Sequence, residues 1–144
     1  MALKPANLFK FNVGNIVFNE NNHWKGQCEP HGRFCTFESY LLGTRALCLL
    51  ARNYLSRGYN TPTRFVSRYA PSCENDTPAY TKYICKQLCI DPDDKITLEK
   101  IPALIRSIVR IEKGPTVYQE WLNDIMTHNA EYQKLYTILL KPFC

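Results

Sequence analysis

Apolar residues fall along this chain in blocks with a period of three to four, broken by stretches that carry glycine and proline. Residues at that spacing share one face of a helix, so the pattern predicts amphipathic helices. From Ser39 to Arg57, Leu42, Ala46, Leu49, Leu50 and Tyr54 mark the expected buried side. Thr36 or Ser39 is placed to cap that helix, Glu38 lies near its positive end, and Gly58 stops it. Thr61-Pro62 opens a short helix through Tyr69 with Phe65, Val66 and Tyr69 as its apolar residues. After the breaker-rich "APSCEND" (70–76), Asp76 or Thr77 caps a helix to about Leu88, with Tyr80, Ile84 and Leu88 along one side. A turn at "DPDDK" (91–95) follows, and Thr97 caps a helix burying Leu98, Ile101, Leu104, Ile105, Ile108 and Val109. Lys113, Gly114 and Pro115 stop it. Thr116 and Gln119 make a capping-box pair for a resumption to about Met126, and a last helix runs from Ala130 to Leu140.

Residues 1–35 show no steady period. "FNVGNIVFN" (11–19) is expected to hold a short strand or hairpin, the rest a packed loop. The expectation is a mainly α, single-domain helical globule over residues 1–144, with an irregular segment (1–35) packed on helices 38–141. A chain of 144 residues is long enough to bury a core without covalent staples.

One residue interrupts this pattern. Ile101, Ile105, Ile108 and Glu112 are spaced four, three and four, so Glu112 continues the apolar stripe at the negative end of its helix. Burial and the helix terminus both disfavour the carboxylate and raise its pKa. A carboxyl kept protonated near neutrality suits a general acid, and glycosidic-bond cleavage is the chemistry that most often uses one. The alternative is a last-turn Glu rotated outward onto Arg110 or Lys113.

Charge and cysteines narrow the picture further. The formal charge of +5 comes from scattered bases, which fit either a solvated surface or a polyanionic partner. Neither a basic helix nor an aromatic-basic stripe points to specific nucleic-acid binding. No apolar run approaches the length of a membrane span, and the N-terminus lacks a signal-peptide core, so synthesis in a cytoplasm is expected. Seven cysteines without an export signal read as reduced thiols, with Cys48, Cys85 and Cys89 as small core residues. His23, Cys28, His31 and Cys35 lack the paired spacing of a zinc site, and no metal or cofactor is expected.

Several motifs then occur in order: "NVGNI" (12–16), "HWKGQ" (23–27), "RFCTFESYLLGTRAL" (33–47), "YNTPTRFVSRYAPSCENDTPAY" (59–80) and "VRIEKG" (109–114). Over about residues 11–115 they resemble a family of phage and prophage proteins labelled virion structural proteins. Its members carry Asn-Pro-Gly-Asn-Ile-Arg, Trp-x-Gly, Gly-Ile-Arg-Ala, Trp-Ala-Pro-Pro-x-Glu-Asn-Asp-Thr-x-x-Tyr and Ile-Arg-His-Glu-Asn-Gly. The last of these places the family glutamate on Glu112. It is similar in turn to the Glu-Ser-Gly motif of goose-type lysozymes and lytic transglycosylases, in which a glutamate at a helix end protonates the glycosidic oxygen. This chain departs from the family pattern at Val13, Val17, Tyr69, Ser72, Ile111 and Lys113.

The resemblance implies a lysozyme-like fold and a phage or prophage enzyme that cuts the peptidoglycan backbone with Glu112 as its catalytic acid. The alternative is a non-catalytic virion or wall-binding protein. Glycan strands, and other virion proteins, are the partners implied, with virion association or delivery to the periplasm. Candidate substrate-binding residues are Asn12 and Asn15 (or backbone ligands of their turn), Trp24 (sugar stacking or loop packing) and Arg45 (ligand contact or an internal ion pair). Glu74, Asn75 and Thr77 are candidates for a sugar-binding rim or for helix capping, and Tyr80 for an N-acetyl contact or the core.

Overall fold

The computed structural model describes residues 4–70 and 76–139. They form α1 (Pro5–Leu8), α2 (Tyr40–Ser56), α3 (Pro62–Tyr69), α4 (Thr77–Leu88), α5 (Ile101–Thr127) and α6 (Asn129–Leu139), with 3-10 turns at Phe9–Phe11 and Leu98–Lys100. The fold is mainly α, as the periodicity predicts, and the described residues contain no strand.

Local signals set most boundaries. Ser39 accepts the Leu42 amide at 3.2 Å, Thr61 the Arg64 amide at 3.2 Å, and Asp76 the Ala79 amide at 3.2 Å, each side chain satisfying a donor that the first helical turn leaves open. Thr97 makes no such cap; the 3-10 turn after it leads directly into α5. Gly114 is the only non-helical residue inside α5, at φ 78° and ψ 176°, so helix resumes directly after a kink. Cys89 ends α4 in a left-handed conformation and is exposed, and Cys85 is half-buried; of the three cysteines expected in the core, only Cys48 is fully buried.

The core gathers Leu47, Ala51 and Leu55 of α2, Phe65 and Val66 of α3, Ile84 and Leu88 of α4, and Ile101, Leu104, Ile105, Ile108 and Val109 of α5. Beyond the kink, Trp121 is fully buried and donates its indole N–H to Thr44 Oγ1 at 2.8 Å, tying α5 to α2.

Other expectations change too. The buried side of α2 is Tyr40, Gly43, Thr44, Ala46, Leu47, Cys48, Ala51 and Leu55, whereas Leu42, Leu49, Leu50 and Tyr54 are only half-buried. The segment 11–19 forms no hairpin. Its one bridge pairs Val17 with Phe34, and it packs across α2 and α5 with Val13 and Ile16 buried in the common core, beside Cys35 and Phe37 of the following loop. Gly43 makes that packing possible, because a Cβ there would run into the Phe11 carbonyl oxygen.

Candidate functional site

The site is built on a tight turn. Asn12 is fully buried, and its side chain closes the turn: Nδ2 donates to Ile16 O and Cys35 O, both at 2.9 Å, and Oδ1 accepts the Ile16 amide at 2.8 Å. Both faces of the amide are thus spent on backbone that water cannot reach. Gly14 sits where a Cβ would lie 2.5 Å from the Tyr69 hydroxyl and 2.7 Å from Leu47 Cδ1, and its carbonyl accepts the Tyr69 hydroxyl proton. Asn15 takes a left-handed conformation, φ 52°, which asparagine tolerates better than most residues.

That turn delivers Asn15 to the last helical residues of α5 before the kink. Asn15 Nδ2 donates to Glu112 Oε1 at 3.1 Å and to the Glu112 carbonyl at 3.0 Å. From α4, the Tyr80 hydroxyl donates to Glu112 Oε2 at 2.9 Å. Lys113 Nζ donates to Asn15 Oδ1 at 3.0 Å and to Phe9 O at 3.2 Å, and lies 3.8 Å from the centre of the Phe9 ring. The lysine fixes which way the asparagine amide faces, and the asparagine fixes the carboxyl. Each carboxyl oxygen accepts one protein donor and keeps further acceptor capacity.

Burial pushes the Glu112 carboxyl above the usual carboxylate range, while the hydrogen bonds from Tyr80 and Asn15 and the charge of Lys113 pull it back only in part. Burial also pushes the Lys113 ammonium down to about 8, against the opposing attraction of Glu112. Tyr69 and Tyr80 are held well above the ordinary phenol range, first by burial and then by neighbouring charge, so both act as proton donors to fixed acceptors.

Glu112 opens onto a groove of about 1580 Å³, lined also by Asn15, Trp24, Tyr54, Tyr69, Glu20 and the side chains of Arg33, Arg52, Arg57 and Arg68. This is larger than the about 300–1,000 Å³ of common small-molecule pockets.

Among the residues singled out from sequence, Asn15, Trp24 and Glu112 line this groove, and Tyr80 holds the carboxyl from beneath. Asn12 lies under the turn. Arg45 is half-buried and away from the groove, with no ion pair among the described residues. Thr77 donates to Ala70 O at 2.8 Å and faces a second, smaller hollow between α3 and α4. Glu74 and Asn75 lie outside the described residues. No group of three or more His, Cys, Asp or Glu side chains among the described residues is arranged to hold a metal ion.

Sequence reasoning missed the groove's arginines and its floor. The signal was present in α2: Leu49, Leu50, Asn53, Tyr54 and Arg57 share one face at steps of three and four. A face that mixes leucine and tyrosine with asparagine and arginine is a half-exposed wall rather than a core side.

No family model matches the chain. It is 29% identical over 98 residues to Protein P5 of Pseudoalteromonas phage PM2, an alignment covering 66% of this chain. The chain spans 61% of that protein's length. The similarity is distant, and it is to a phage protein.

Proposed function

We propose that the chain is a lysozyme-like glycosidase or lytic transglycosylase of phage or prophage origin that cuts the glycan backbone of peptidoglycan, with Glu112 as its acid. The observation that carries the reading is a half-buried carboxyl of raised pKa, oriented by two donors, at the wall of a large groove. Glu112 would protonate the glycosidic oxygen from a lone-pair position that Asn15 and Tyr80 leave open. The leaving sugar departs and the resulting cation is trapped by water or by the substrate's own groups. Glu20 also lines the groove, but a substrate-assisted route requires no second carboxylate. Asn15 and Tyr80 act as positioning residues, and Trp24 offers a flat apolar surface to a sugar ring.

Removing a general acid typically costs about 10²- to 10⁴-fold in rate. Glu112→Gln should therefore release muropeptides from purified sacculi at least about a hundredfold more slowly than wild type. Equal release by both proteins, or none by either, overturns the enzymatic reading.

One observation favours a second reading, a non-catalytic virion or wall-binding protein. Tyr80, Asn15 and Lys113 all stabilise the ionised form of Glu112, which opposes a role as acid. That reading predicts retention on sacculi with no fragment released.

A further inference from the structure

The charge lining the groove is uneven. Arg33, Arg52, Arg57 and Arg68 face it against two carboxyls, Glu20 and Glu112, and no described lysine lines it. Half of the chain's eight arginines therefore converge on one groove from three separate parts of the fold. Lysine and arginine serve equally well for bulk solubility, so selective use of arginine points to its planar fork, which matches a carboxylate with two parallel hydrogen bonds. Two of the forks are braced. The Arg33 guanidinium lies 5.0 Å from the Phe34 ring centre, and that of Arg68 lies 4.7 Å from the Tyr54 ring centre. Stacking occupies the face of a guanidinium rather than the in-plane edge that carries its N–H donors.

We propose that the groove selects a glycan whose sugars carry carboxylate-bearing substituents, and discriminates against the same glycan with those carboxyls neutralised. This rests on the reading of the groove as a glycan site. The arginines would grip acidic groups along the strand while Glu112 faces the bond between sugars. A phosphate-bearing strand such as single-stranded DNA is the competing polyanion. The amide-rich wall, with Asn15, Asn19, Asn22 and Asn53, favours a hydroxyl- and amide-bearing polymer over stacked bases.

The test measures binding of the Glu112→Gln protein, expected to cleave at least about a hundredfold more slowly than wild type, to three probes: native sacculi, sacculi whose carboxyls have been amidated, and a single-stranded oligonucleotide. Expected is retention on native sacculi that falls about tenfold or more on amidation, the scale of one lost charge-assisted hydrogen bond, and weaker capture of the oligonucleotide. Arg57→Gln and Arg68→Gln, both at exposed side chains, should each lower affinity about tenfold, and Lys134→Gln, an exposed cation on α6, should not. Equal binding to native and amidated sacculi overturns the proposal, as does tighter binding of the oligonucleotide or an equal loss in Lys134→Gln. The amidation arm needs no arginine variant, so a folding defect in one of them leaves the result decisive. If wild type releases no fragments yet binding remains carboxylate-dependent, the enzymatic reading fails and this inference stands. If wild type cleaves native and amidated walls equally, the inference fails and the enzymatic reading stands.

Discussion

Glu112 and Lys113 are neighbours in sequence whose protonation pulls stability in opposite directions. The carboxyl is raised, so its favourable contribution is complete at acid pH and is lost as pH rises through its folded pKa. The ammonium is lowered from 10.5 to about 8, so between those values the unfolded chain keeps a proton that the folded chain has released, and stability rises with pH. Above about pH 9 the buried thiols of Cys35 and Cys48, raised from 9.0, work the other way. In the window from about pH 8 to 9, wild type should therefore gain stability relative to Lys113→Met, measured by a series of urea melts; parallel profiles would show that Lys113 carries its proton equally in both states. Tyr80→Phe keeps the ring in the core and removes one donor from the carboxyl. It should cost about 1–2 kcal/mol of stability at neutral pH and move the alkaline limb of any cleavage profile upward, because one of the causes holding the Glu112 pKa down is gone. An unmoved limb would place the titrating acid elsewhere.

At the scale of elements, the kink in α5 ends the apolar stripe at Glu112 and lets the helix resume toward Trp121. Gly114 is at φ 78° and ψ 176°, a region that side chains rarely enter, and a Cβ there would meet nothing within 4 Å. The cost of Gly114→Ala is thus backbone strain without a clash, about 1–3 kcal/mol, and thermal unfolding should show it. No change in melting temperature would mean that the kink relaxes freely. The same element explains what the local sequence could convey. Lys113-Gly114-Pro115 announces a break through the chemistry of single residues. Past the break, α5 is tied to α2 by the hydrogen bond from Trp121 to Thr44, a contact between residues 77 positions apart that no local signal conveys.

The molecule as a whole depends on its least regular part. Residues 12–37 contribute Val13, Ile16, Cys35 and Phe37 to the same core as the helices, and they supply the Asn15 wall of the groove. We propose that the chain is one cooperative unit, and that a version beginning at Ser39 loses sharp unfolding and near-ultraviolet tertiary signal together. A truncated chain that melts as sharply as the full one would separate the segment from the fold.

The helices, the cap at Thr61 and the apolar stripe of α5 were determined by the sequence alone, because each rests on residues within one or two turns of each other; at the other two starts the sequence offered Thr36 or Ser39 and Asp76 or Thr77, and the structure uses Ser39 and Asp76. The anomaly at Glu112 was visible for the same reason. Tertiary structure decided the rest. Helical phase placed Leu49, Leu50 and Tyr54 in the core, but the N-terminal segment and α3 leave them as a half-covered groove wall beside the arginines. Phase put a carboxyl in line with the apolar stripe and left open whether it turned inward or out onto Arg110 or Lys113. Only long-range contacts, from Asn15 across 97 positions and from Tyr80 across 32, decided how it is held and what it faces.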